Sequence, residues 1–128
     1  MSLTTSPEPD SEIGKLSSNL VHEWIQAWNS HDLNQIMTHY AHDLIISSPA
    51  LAKVLNGSGG TLRGLDAVRA YWEKALLLYP DLHFELLGHF KGVGSMAIHY
   101  RGVGGRKVVE VCEFNAEGLI ARVQVLYA

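Results

Sequence analysis

Apolar residues recur at three- and four-residue steps through Leu20, Val21, Trp24, Ile25 and Trp28, and Ile13 and Leu16 extend the stripe toward the N-terminus. That spacing marks a helix with one buried face and predicts a first helix from about Ser11 to Ser30. Asn29-Ser30-His31 breaks the pattern. Asp32 is then placed to cap a second helix, with Gln35 three residues on as in a capping box. Leu33, Ile36, Met37 and Tyr40 form its buried side. Leu44 to Ser48 reads as a short strand that Pro49 ends, because proline has no amide to give a ladder.

Residues 50–63 are harder to place. ALAKVL is long enough for one helical turn, but the NGSGG after it is flexible and has no core to join. A glycine-rich loop of this length is either functional, such as a lid, or mobile. Helix three is predicted from near Gly64, with Asp66 in its first turn, a stripe of Leu65, Val68, Trp72, Ala75, Leu76 and Tyr79, and Pro80 as its stop. Strands follow near 82–91, 93–101, 106–114 and 119–127, divided by Gly92, GVGG at 102–105 and Asn115 to Gly118. Helices first and a strand meander last give an α+β fold with helices packed on one sheet face.

The middle hairpin sets a sharper expectation. If Gly102–Gly105 is a four-residue loop, Arg101 faces Arg106, His99 faces Val108, Ala97 faces Glu110 and Ser95 faces Cys112. His99 and Glu110 then share a face as diagonal neighbours roughly 7–8 Å apart. A slip of one residue would separate them. The other face would carry Met96, Ile98, Tyr100, Val109 and Val111. Two largely apolar faces imply two covers, the helices on one and a second copy of the chain on the other.

A length of 128 residues suits one domain, here 11–128 behind a flexible polar tail of residues 1–10. A net charge of -3 leaves no electrostatic footprint for nucleic acid or an anionic membrane. Apolar runs are too short to span a bilayer, and MSLTTSPEPD lacks the basic-then-apolar order of a signal peptide. The one cysteine, Cys112, excludes an internal disulfide and suits a reducing cytoplasm, the expected location.

The chain resembles the nuclear transport factor 2-like superfamily, and within it the SnoaL-like proteins. The resemblance rests on AWNSHDLNQIMTHYAHD, the strand ending in SSP, RGLDAVRAYWEKAL and GRKVVEVCEFNAEGLIARVQVLY, which together span most of residues 20–127. It implies three N-terminal helices on a strongly curved, mainly antiparallel sheet, an apolar cavity at one end, and homodimers. Members include ketosteroid isomerase, polyketide cyclases, epoxide hydrolases, dehydratases and non-catalytic domains, so the fold alone assigns no reaction. Ketosteroid isomerase combines a carboxylate base with an oxyanion hole of a tyrosine and a protonated aspartic acid. The resemblance puts Ser48 at the base position, Trp24 at the tyrosine and Glu110 at the acid. Only Glu110 keeps its chemistry, so steroid isomerisation is not expected.

Glu110 interrupts VVEVCEF, which otherwise reads as a buried strand. Burial there would raise its pKa and prepare an acid or base. The bland alternative is an exposed residue, or a structural carboxylate bonded to a tyrosine or tryptophan. His99 is the expected partner, the alternative being an imidazole satisfied by backbone or solvent at the sheet rim. Trp24, Trp28, Tyr40, Tyr71, Trp72 and Tyr127 either line a cavity or fill the core; the resemblance places Trp24, Trp72 and Tyr127 on cavity walls. Ser48, Cys112 and Val123 complete the expected ligand-binding set. Cys112 should point with Glu110 as a buried, unreactive thiol.

His39 and His42, three apart at the end of helix two, lack a third ligand, so no metal is expected. GSGG at 57–60 is not followed by GK[ST], and no cofactor is expected. No Asp-Arg-Asp array of the epoxide-hydrolase kind is visible. The expected function is binding of a small, mainly apolar organic molecule. Proton-transfer chemistry such as cyclisation, isomerisation or dehydration would rest on Glu110 and His99, with Ser48 and Trp24 positioning. The alternative is a non-catalytic ligand-binding or dimerisation module.

Overall fold

The computed structural model describes residues 12–128. The predicted tail 1–10 lies outside the described residues, as do the side chains of Ile13 and Leu16.

Helix α1 spans Glu12–Ser30 and buries Val21, Trp24, Ala27 and Trp28. Its stop is local: the Ser30 hydroxyl donates to the Ala27 carbonyl, and His31 enters the left-handed region at φ 61°. Asp32 caps α2 (Leu33–Met37), its carboxylate accepting from the Asn34 and Gln35 amides at 3.0 and 3.3 Å. The second helix is only five residues long, so Tyr40 opens strand β1 (Tyr40–Ser47) rather than closing the helix. His39 and His42 therefore sit in a turn and a strand, not on a helix end.

Ser48 does not simply end a strand. Its hydroxyl accepts from the Ala50 amide and caps a further helix, α3 (Pro49–Val54), whose first residue is a proline that needs no amide there. A three-residue strand, β2 (Thr61–Arg63), then pairs antiparallel with β1. Residues 50–63 are thus mostly built structure, tied by Ser48 N–H to the Gly60 carbonyl at 2.8 Å and by the paired Ser47 and Thr61 hydroxyls at 2.9 Å. Helix α4 (Leu65–Leu78) buries Val68, Tyr71 and Trp72.

Strands β3 (Glu85–Gly92), β4 (Ser95–Arg101), β5 (Lys107–Phe114) and β6 (Ile120–Tyr127) complete one curved, unclosed sheet in the order β2-β1-β6-β5-β4-β3. All neighbours are antiparallel except β1 and β6. Strand β3 begins three residues later than the 82–91 expectation. Asn29 at the end of α1 takes both backbone groups of Phe84, donating to its carbonyl at 3.0 Å and accepting from its amide at 2.7 Å. A segment held that way has no groups left for a neighbouring strand.

The β4–β5 hairpin corrects the predicted register. Its connection runs from Gly102 to Arg106, with the Gly102 amide donating to the Arg106 carbonyl at 2.7 Å around a 3-10 turn at Val103–Gly105. Gly104 and Gly105 adopt positive φ of 71° and 78°, which only glycine takes at little cost, and so accommodate one more residue than a four-residue loop. Arg101 consequently pairs with Lys107, His99 with Val109, Ile98 with Glu110 and Met96 with Cys112. The shift by one exchanges faces. Met96, Ile98 and Tyr100 join Val108, Glu110 and Cys112 on the helix-covered face, whereas His99 lies on the opposite face with Val109 and Val111.

Beneath the helices sits an aromatic core. Trp24 contacts Trp28, Phe84 and Tyr100 at centroid distances of 6.2, 5.8 and 5.5 Å, and Trp28 meets Trp72 edge-on at 5.2 Å. Replacing such a buried ring by alanine costs about 3–5 kcal/mol. The cluster joins α1, α4 and the sheet, and so sets where the space between them remains open.

Candidate functional site

That space is a cavity of about 260 Å³ bounded by α3, α4, the 82–84 segment and the inner ends of β4, β5 and β6. Its walls are largely apolar and aromatic: Trp28, Ile46, Val54, Tyr71, Trp72, Leu82, Phe84, Val108 and Val125. Lys53, Tyr79, Val103 and Arg106 also line it and are exposed, so they form its mouth. Glu110 lines its inner end and is only 8% exposed.

Strand alternation puts the carboxyl there. Val108, Glu110 and Cys112 occupy successive inward positions of β5, all buried. The Glu110 carboxyl accepts a 2.5 Å hydrogen bond from the Tyr100 hydroxyl, contributed by the next inward position along on the facing strand. Burial pushes Glu110 up from 4.5 to about 7, and the Tyr100 bond opposes that rise. Both protonation states are therefore populated near neutrality. The Tyr100 phenol is itself pushed well above its usual range, by burial first and by the Glu110 charge second. It stays a donor throughout the physiological range.

Two further hydroxyls flank the cavity. Tyr127 is raised by burial, and the Ser48 hydroxyl beside it counters part of that rise. Ser48 accepts from the Ala50 amide, and its own proton is directed to the Tyr127 oxygen. Trp28 also lines the cavity, and its indole N–H is buried near the Tyr40 hydroxyl without reaching hydrogen-bonding geometry.

Of the residues predicted from sequence, Glu110, Trp28, Ser48, Trp72 and Tyr127 line the cavity. Trp24, Tyr40, Cys112 and Val123 are buried in the core and do not line it. The Trp24 indole donates to the Tyr40 hydroxyl at 2.7 Å, so neither group faces a ligand. Cys112 shares the face of Glu110 as expected, and burial pushes its thiol well up, which suits inertness. His99 is removed as the partner of Glu110, since the register places it across the sheet.

Tyr100 takes that place, and sequence reasoning missed it by counting the turn one residue short. The signal was present: Met96-Ile98-Tyr100 is the more apolar alternate set of β4, and pairing it with Val108-Glu110-Cys112 joins the two sets most suited to burial. Among the described residues, no three His, Cys, Asp or Glu side chains converge as a metal site would require, and no helix is long and apolar enough to cross a membrane.

Helices covering one face of a curved, mainly antiparallel sheet define the cystatin-like α+β class. The chain belongs to the SnoaL-like domain family, whose family model matches residues 21–123. A SnoaL-like protein of unknown function from Burkholderia thailandensis is 41% identical over 94% of this chain and 99% of its own, with a TM-score of 0.86. A cystatin-like protein of unknown function from Methylobium petroleophilum matches 87% of this chain and 74% of its own at 17% identity and TM-score 0.70. A candidate polyketide cyclase from Sinorhizobium meliloti matches 84% of this chain and 94% of its own at 15% identity and TM-score 0.68. The last two share the fold alone. No curated protein matches the sequence.

The position of Glu110 makes stability depend on pH. Between its unfolded value near 4.5 and about 7, the folded chain holds a proton that the unfolded chain has released. Stability is therefore greatest below the lower value and falls as pH rises through the window. Burial lowers His39, which gives an opposite slope common to wild type and variant. In urea denaturation between about pH 5 and pH 8, Glu110→Gln should gain on wild type by roughly 2 to 3 kcal/mol as the pH rises. Parallel stability curves would show that the carboxyl is not desolvated.

Proposed function

We propose that this chain binds a small, mainly apolar carbonyl compound in the cavity and moves a proton on it with Glu110. The observation that carries the reading is a desolvated carboxyl at the inner end of an apolar cavity, poised near 7 and held by Tyr100. A base of that strength both accepts and returns a proton near neutral pH.

In its ionised form Glu110 takes a proton from the carbon next to the carbonyl. The C–H bonding pair becomes the enolate, and its oxygen is stabilised by the Tyr127 hydroxyl, which Ser48 supports. Glu110, now protonated, returns the proton. Delivered to a different carbon, it completes an isomerisation; delivered to a departing hydroxyl, it completes a dehydration and releases water. If the enolate carbon instead attacks a second carbonyl of the same molecule, the proton goes to the new alkoxide and the outcome is cyclisation. The fold is shared with a candidate polyketide cyclase, and poly-carbonyl compounds are rich in such C–H bonds. Steroid isomerisation in the ketosteroid-isomerase manner is not part of the proposal, because the resemblance puts Ser48, not a carboxylate, at the position of the base.

That serine also favours a second reading, a cavity that binds without turnover. Deuterium exchange into the methyl group of 2-acetylnaphthalene, followed by NMR in heavy water, separates the two. The wild type should accelerate exchange, with a rate that rises through a pH of about 7. Glu110→Gln should lose about a hundredfold. Tyr100→Phe should move the inflection upward, since it deletes the bond that favours the carboxylate. Exchange at the buffer rate with the ketone demonstrably bound would leave only the binding module.

We further propose that the outer sheet face is covered by a second copy of the chain. Phe90 is 67% exposed and Leu126 48%, and the register sets them beside Ala97, Val109 and Val111 in two adjoining cross-strand rows. Sedimentation equilibrium should give twice the 14.1 kDa chain mass, and a Phe90→Asp, Val111→Lys double variant should give one chain mass. A wild type that sediments as a monomer would remove this proposal.

A further inference from the structure

The charged groups around the cavity are arranged unequally. Among its lining residues Glu110 is the one acid, and it lies at the inner end. The other two charges, Lys53 and Arg106, are cations at the mouth. They come from different walls, Lys53 from the last turn of α3 and Arg106 from the end of the β4–β5 turn. Neither forms an ion pair among the described residues.

Arg106 is held in place without an Asp or Glu partner among the described residues. Its guanidinium carbon lies 4.5 Å from the centre of the Tyr127 ring, and its Nη2 donates to the Ala128 carbonyl at 3.5 Å. Tyr127 is itself a cavity wall, so the cation rests on the lining. An anion arriving there meets a positive charge whose side chain is already partly ordered, which lowers the cost of the contact.

We propose that the cavity selects an organic acid: a molecule with an apolar, flat body and one carboxylate that stays at the mouth between Lys53 and Arg106. This rests on the reading of the cavity as a ligand site and narrows it to a substrate class. The inward walls of Trp28, Trp72 and Phe84 take the body. A carboxylate fixed at the mouth points the far end of the molecule at Glu110 and Tyr100. The ligand is thereby oriented, acid outward and reacting group inward. The opposite orientation would bring a carboxylate against Glu110, where desolvation and like charge both oppose it.

Calorimetric titration with 2-naphthoate and 2-naphthamide, matched in shape and differing in charge, tests the proposal. At about pH 6 Glu110 is mostly protonated and the naphthoate ionised. In low salt the naphthoate should bind about five- to tenfold more tightly than the amide, and the advantage should shrink as sodium chloride is added. Lys53→Gln and Arg106→Gln should each remove part of the preference, and together all of it, the preference being read as the ratio of the two affinities within each variant. Equal affinities of the wild type for the two probes would overturn the charge selection and leave the cavity reading standing. Binding of neither probe would overturn both.

Discussion

A carboxyl group on the inner face of β5 is tenable only because another strand supplies it with a hydrogen bond. Burying a polar group unpaired costs several kcal/mol, and an ionised one more. The Tyr100 hydroxyl meets Glu110 at 2.5 Å and so makes the position tolerable while leaving it energetically raised. That compromise shapes the site. A fully solvated Glu110 would be a permanent anion, and one in a wholly apolar environment would stay protonated. Its actual surroundings bring the two forms close in free energy at neutral pH.

The pair in turn depends on backbone geometry some distance away. Two adjacent glycines in left-handed conformation let the β4–β5 turn hold one extra residue, and this brings Tyr100 to the inner face. The aromatic core then leaves room beside them. Phe84 packs against Tyr100 with tilted rings 4.3 Å apart at their centres and is pinned through its backbone by Asn29, while the neighbouring Leu82 carbonyl is bonded to the His31 ring at 2.7 Å. The end of α1 thus fixes the segment that forms one wall of the cavity. Without that bracing, Phe84 and Leu82 could collapse inward and fill the space over Glu110.

Much of this was legible from residue patterns alone. The long helices announced themselves because their stripes run over several turns, and Glu110 did so by breaking an apolar strand. Ser48, Trp72 and Tyr127 were reached through resemblance and Trp28 through its helical stripe, and all four line the cavity. What escaped was governed by single residues of chain length. Strand β2 has three residues, too few to display an alternation, and α3 is a short helix whose cap looked like a strand end. The hairpin register turned on whether Arg106 belonged to the turn or to the strand, and periodicity cannot decide that. The consequence was chemical, since it exchanged His99 for Tyr100 beside the carboxyl. Trp24 and Tyr40 were misplaced for a different reason: each satisfies the other's hydrogen bond within the core, a closure that helical spacing does not reveal.

This SnoaL-like domain has one buried carboxyl at the inner end of its cavity and cations at the mouth, the groups on which the proposed proton transfer rests. All of that chemistry rests on the state of Glu110. The most direct measurement is a carbon-13 NMR titration of the glutamate side-chain carboxyls, with Glu110→Gln assigning the resonance. The account predicts one carboxyl with a midpoint at about 7, missing from the variant spectrum. A Glu110 resonance that titrates near 4.5 would contradict it, and the proposed chemistry would lose its base.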